Sequence, residues 1–120
     1  MNENVGKFFS YLFYIRDKAH LTHLAQPDKS LATHKALEYL YDTLLAQTDS
    51  LIETYQGLHD IVEIETMPAK ASNTPITMVQ ECLYYIRSNR GIFTDSPINN
   101  IIDEIEATLG KTLYLLRFVQ

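Results

Sequence analysis

The sequence predicts an all-α domain built as a bundle of four helices. Three observations lead there. Helix breakers are few, with only four Gly and four Pro. Apolar residues recur at helical spacing over long runs. The later runs open at recognisable cap signals. With 120 residues the chain is long enough for one domain and too short for two ordinary ones, so residues 1–120 read as a single domain. Apolar types make up 46% and charged types 21%, the ordinary balance of a folded globular protein. No run approaches the ~18 apolar residues of a membrane span, so no membrane partner is expected.

The first run, about residues 3–25, places Phe8, Phe9, Leu12, Ile15, Ala19 and Thr22 on one helical face, and Pro27 and Asp28 interrupt it. The second starts at Ser30, a good N-cap, and ends at Gly57, a good C-terminal stop. Its stripe is Leu37, Leu40, Tyr41, Leu44, Leu51, Ile52 and Tyr55, which falls within a ~120° arc, the width of a core-facing surface. Residues 58–74 alternate weakly and then become a loop; so long a connection is expected to hold a short helix or an extended crossover. The third helix opens at Thr74-Pro75 and runs to about Arg90-Gly91, with Ile76, Val79, Leu83 and Ile86 inward. Asp95-Ser96-Pro97 opens the fourth, and Ile98, Ile101, Ile102, Ile105, Leu109, Leu113 and Leu116 carry it to the end.

A short first link, a long middle link and a short last link suggest two antiparallel hairpins. The long link permits a crossover that lays helix 3 parallel to helix 2, the ferritin-like arrangement; a simple up-down bundle is the other option.

Several function classes are excluded early. Cys82 is the only cysteine, so an internal disulfide, a Cys-based zinc site and a redox CxxC pair are ruled out. A net charge of −5 with scattered Lys and Arg gives no footprint for nucleic acid. Neither GxGxxG nor GxxxxGK[ST] occurs, nor does G-x-S-x-G. The N-terminus lacks the basic start of a signal peptide, so a cytoplasmic protein is expected.

The chemistry concentrates on helix 2. His34, Glu38, Asp42, Asp49 and Glu53 form a second stripe within a ~100° arc beside the apolar one. His34 and Glu38 are four apart, as are Asp49 and Glu53, and such pairs lie close enough to share a cation. Imidazole with carboxylates suits Fe or Mn and also accommodates Zn. His34 and Asp49 are ~22 Å apart along a helix, too far for one ion. They meet only if a second copy lies antiparallel across a two-fold axis near the middle of helix 2, which also makes two such sites. His20 and His23, near the end of helix 1, lie beside the start of helix 2 and would complete the histidine side.

This pattern resembles the miniferritins, the Dps-type ferritins. Their helix 1 ends in a Thr-His-x-x-His-Trp-Asn-type segment, and this chain reads Ala19-His20-Leu21-Thr22-His23-Leu24-Ala25. The family then places a His, a carboxylate four later, an Asp fifteen later and a Glu nineteen later; His34, Glu38, Asp49 and Glu53 fit. Leu109-Gly110-Lys111-Thr112-Leu113-Tyr114-Leu115-Leu116 is similar to the family's last-helix segment. Leu24 departs from the family's Trp, and Glu38 stands where Asp is customary. The resemblance implies a ferroxidase-type iron site at a two-fold interface. His23, His34 and Glu38 would come from one subunit and Asp49 and Glu53 from its neighbour, with His20 secondary. It also implies Fe(II) oxidation and storage in a homodimer or higher homo-oligomer.

Blander readings stand beside these. A polar helical stripe is usually a solvated face. His20 and His23 would then cap the C-terminal end of helix 1, His59 would sit on a loop surface, Asp42 would pair with a Lys, and Asp103, Glu104 and Glu106 would be solvated. The second function hypothesis is accordingly a non-catalytic bundle that binds a protein or a small ligand and keeps a relict site.

Overall fold

A computed structural model describes residues 2–25 and 30–119. It contains α1 (Asn2–Leu24), α2 (Leu31–Leu58), α3 (Pro75–Asn89), a 3-10 turn over Arg90–Ile92, and α4 (Ser96–Phe118). The expected break at Pro27 and Asp28 lies outside the described residues.

Local signals account for most helix ends. Ser30 Oγ accepts the Thr33 N–H at 3.1 Å and satisfies one of the free donors of the first turn of α2. Gly57 does not stop that helix. No described glycine takes a positive φ, and the chain leaves α2 one residue beyond Leu58, where the His59 N–H closes onto the Tyr55 carbonyl at 2.9 Å. Pro75 is the first residue of α3, where its missing N–H costs nothing. Asp95 precedes α4 without capping it. Its carboxylate is taken instead by His59 Nε2 at 2.6 Å, so His59 clips the end of α2 to the start of α4. Asn99 supports the same turn, donating to the carbonyls of Phe93 at 3.0 Å and Asp95 at 3.2 Å.

The α1 stripe is buried as expected, from Phe8 to Thr22. On α3 the buried residues are Met78, Val79, Cys82 and Ile86, while Ile76 is exposed and Leu83 half-buried. The face is turned by roughly 60° from the expected one, because α3 must also meet α1: Met78 Sδ lies 3.7 Å from Thr22 Oγ1, and the Cys82 thiol bonds Tyr11. On α4, Thr108 and Thr112 lie inside the core. Their hydroxyls bond the carbonyls one turn back at 3.1 and 2.8 Å, so neither is left unsatisfied. Gln47 of α2 also reaches Thr108 Oγ1 at 2.9 Å.

Side-chain contacts fix the helix directions. Phe9 meets Tyr55 and Phe93, gathering the start of α1, the end of α2 and the link into α4 at one end. At the other end, Thr22 of α1 meets Met78 of α3 and accepts the Ser72 N–H at 2.9 Å. Thus α3 runs in the direction of α2, and α1 and α4 run against both. Each of α1 and α4 packs on α2 and α3.

The connection over residues 59–74 forms no helix and lies extended along α1 of its own chain. Val62 is buried and Ile64 packs on the core. Gln56 Oε1 accepts the Val62 N–H at 2.9 Å, and Lys18 Nζ donates to the Lys70 carbonyl at 3.0 Å. Gly6 is required by this docking, since a Cβ there would lie 2.6 Å from the Glu63 carbonyl oxygen. Gly6→Ala gains at most about 1 kcal/mol of helix propensity. Forcing the crossover backbone away costs about 1–3 kcal/mol. The variant is expected to be less stable in urea and to be cut faster by protease within residues 63–70.

Burial pushes the Cys82 thiol up to about 12, against a small opposing effect of its bond to Tyr11. An unfolded thiol titrates near about 8.5. Below that pH both states are protonated and the full stability is present. As pH rises toward 12, the unfolded chain ionises while the folded chain does not, and stability falls by up to about 1.36 kcal/mol per pH unit. Urea midpoints at pH 8 and pH 10.5 should therefore diverge more in the native chain than in Cys82→Ala. The residual slope belongs partly to Tyr11, which burial also raises.

Candidate metal centre

The end of α1 and the start of α2 bring His20, His23, His34 and Tyr41 together. His23 is buried, and its ring stacks on His34 with centroids 3.7 Å apart and planes 26° from parallel. His23 Nδ1 lies 2.9 Å from the His34 carbonyl oxygen. A carbonyl only accepts, so Nδ1 carries a proton, and in the neutral ring Nε2 is the nitrogen with the lone pair. A backbone carbonyl holding one ring nitrogen is the usual way a metal-binding imidazole is oriented. It also corrects the capping alternative, since His23 bonds the backbone of α2 rather than of α1.

His20 stacks on Tyr41 at 4.2 Å, with its centroid 6.3 Å from that of His23. Burial raises the Tyr41 phenol above its ordinary range; Asp42 and Glu38 add to this and Arg16 opposes it. The Arg16 guanidinium lies 5.7 Å from the Tyr41 ring centroid, and its buried Nε has no partner among the described residues. Sequence reasoning missed Tyr41 and Arg16 as members of this cluster. Their spacing carried the signal: Arg16 stands one turn before His20, and Tyr41 two turns after His34.

The carboxylates divide into two groups. Glu38 is half-exposed and pairs with Lys35 at 3.6 Å. Asp49 and Glu53 lie exposed farther along α2, and among the described residues neither makes an ion pair or a side-chain hydrogen bond. Asp42 is exposed and meets no Lys among the described residues.

Within one chain the donors do not form a complete ligand set. Among the described residues no three His, Cys, Asp or Glu side chains converge as metal ligands. The stack of His23 on His34 keeps the two rings in separate, nearly parallel planes, and their in-plane lone pairs with them. The donor types suit a divalent cation of intermediate hardness, but the set is split along α2 into an imidazole half and a carboxylate half.

Two other polar groups are paired on the surface. His59 is exposed at the start of the loop, as expected, and its ring pairs with Asp95. Asp103 and Glu106 are drawn into an ion network, with Arg90 bonding Asp103 at 2.8 Å and Glu106 at 2.7 Å, and Arg87 adding 3.1 Å to Glu106. No helix is long and apolar enough to cross a membrane among the described residues.

No curated protein and no solved structure matches the chain. One family does match, over residues 23–116, a span that includes His23, His34, Glu38, Asp49 and Glu53 and leaves out His20. Because that span covers well over half of the sequence, the chain belongs to DUF5856, described as a family of unknown function.

Proposed function

We propose that two copies of this chain hold a divalent transition metal between them, iron foremost, in the manner of the Dps-type miniferritins that the sequence resembles. The observation that carries this reading is the division of α2. One end presents His34 and Glu38 beside an oriented His23, and the other presents the unpaired acids Asp49 and Glu53. An antiparallel second copy would close each half with the other. The direction of the four helices, with a long crossover between two parallel ones, supports a ferritin-like bundle.

In such a site the imidazoles and carboxylates bind Fe(II), and the acids favour the more highly charged Fe(III). With peroxide as oxidant, two Fe(II) each give up one electron. The O–O bond breaks and, with two protons, two waters form. The test adds Fe(II) and peroxide to the metal-free protein and follows ferric absorbance. His34→Ala and Glu53→Ala should each slow oxidation by about tenfold or more, as the loss of a metal ligand or its orienting partner does. Rates equal to the native rate in both variants would end the proposal.

A second reading has its own observation. Leu31 and Leu45 are exposed on the same face as the acidic stripe, at 70% and 42%. That face would then dock a protein without metal. A stable complex that ignores chelators and both substitutions would favour it.

A further inference from the structure

A groove of about 850 Å³ opens on the opposite side of the bundle, between α1, α3 and the crossover. Its size is that of a small-molecule site. The wall is aromatic: Tyr11 and Tyr85 stack with centroids 3.7 Å apart and planes 15° from parallel, and both line the groove with Met67. The rim is acidic. Glu63 and Glu65 belong to the extended crossover, where alternate residues point the same way. Val62 and Ile64 take the inward positions, so the two carboxylates stand together along the groove, about 6–7 Å apart by strand rise. Glu3 and Lys7 also line the groove but offset each other as an ion pair at 3.7 Å, so the net charge of the rim is that of Glu63 and Glu65. Gly6 and the Lys18 hydrogen bond to the Lys70 carbonyl hold the crossover against α1.

From this juxtaposition we infer that the groove binds a linear aliphatic polyamine. Two ammonium groups separated by a four-carbon spacer match two carboxylates at alternate positions of a strand. The methylene spacer lies along the side of the stacked tyrosine pair that lines the groove, where van der Waals contact adds to the charge pairing. An inorganic cation would use the acids and leave the aromatic wall unused; a neutral apolar ligand would do the reverse. The groove lies away from α2, so this inference is independent of the metal reading.

The chain has eight Tyr and no Trp, so its emission is tyrosine emission, and the part of any change that is lost in Tyr85→Leu comes from the groove. Spermidine titrated into the full chain at constant ionic strength should give saturable one-site binding by emission and by calorimetry. Glu63→Gln and Glu65→Gln, both exposed, should each weaken it about threefold to tenfold, the range for a partly exposed charge contact. Tyr85→Leu should weaken it as well, and Glu104→Gln on α4 should leave it unchanged. Non-saturable uptake overturns the inference. So does a loss shared equally by Glu104→Gln, which would reveal general attraction to an acidic surface.

Discussion

Phe9→Ala is expected to remove about 3–5 kcal/mol of folding stability, the cost of deleting a large ring from a closed core. Phe9 is fully buried and meets Tyr55 edge-on at 5.7 Å and Phe93 stacked at 6.1 Å. Phe93 in turn meets Phe8 at 5.0 Å and Tyr55 at 5.8 Å. The four rings join three pieces of chain that are distant in sequence, and each ring pair adds about 0.5–1.5 kcal/mol beyond area burial. Domains of this size have only about 5–15 kcal/mol in total. The loss therefore takes a large share, and the urea midpoint should fall accordingly. Phe118→Ala offers the contrast. That ring is 63% exposed, and its removal should stay within about 0.5 kcal/mol. Equal effects at the two positions would mean that this end of the bundle is not held by its aromatic cluster.

What could be read from the sequence follows the range of the interaction. The helices were legible because periodicity is local, and Ser30 was legible because its capping partner is three residues away. Asp95 carried the same kind of signal and failed. Its side chain is claimed by His59, 36 residues earlier, and no local pattern encodes that competition. The α3 face was misjudged for a related reason, since Met78 and Cys82 are buried by α1 rather than by neighbours in sequence. The 59–74 crossover was the least legible element. Its position rests on Gly6, Lys18 and Thr22, all far upstream. The histidine cluster was foreseeable, because His20, His23 and His34 flank one short link. Asp49 and Glu53 are a different case: among the described residues they pair with nothing, and the proposed second copy rests on their spacing along α2.

Mixing the two slowed variants, His34→Ala and Glu53→Ala, should restore part of the activity. Antiparallel pairing of α2 sets Glu38, Asp42, Asp49 and Glu53 of one copy against the same acids of the other, with Lys35 as the nearest cation on that helix. Two like charges at ~4 Å repel by about 4 kcal/mol in surroundings of intermediate dielectric. The pair should therefore be weak without metal and should form when Fe(II) or Mn(II) is added, giving a metal-dependent doubling of mass. His34→Ala breaks the imidazole half of both sites, and Glu53→Ala breaks the acid half of both. In a mixed pair the intact acid half of the first variant faces the intact imidazole half of the second. One of the two sites is then complete. Random pairing makes about half of the dimers mixed, so an equimolar mixture should regain roughly a quarter of native Fe(II) oxidation. Both substitutions fall on exposed or half-exposed positions of α2, and helical circular dichroism should confirm that each variant is folded. A site completed within one chain predicts no recovery at all, because neither variant could supply what the other lacks. Recovery that tracks the mixing ratio, peaks at equal amounts and disappears on chelation requires the two halves to come from different molecules.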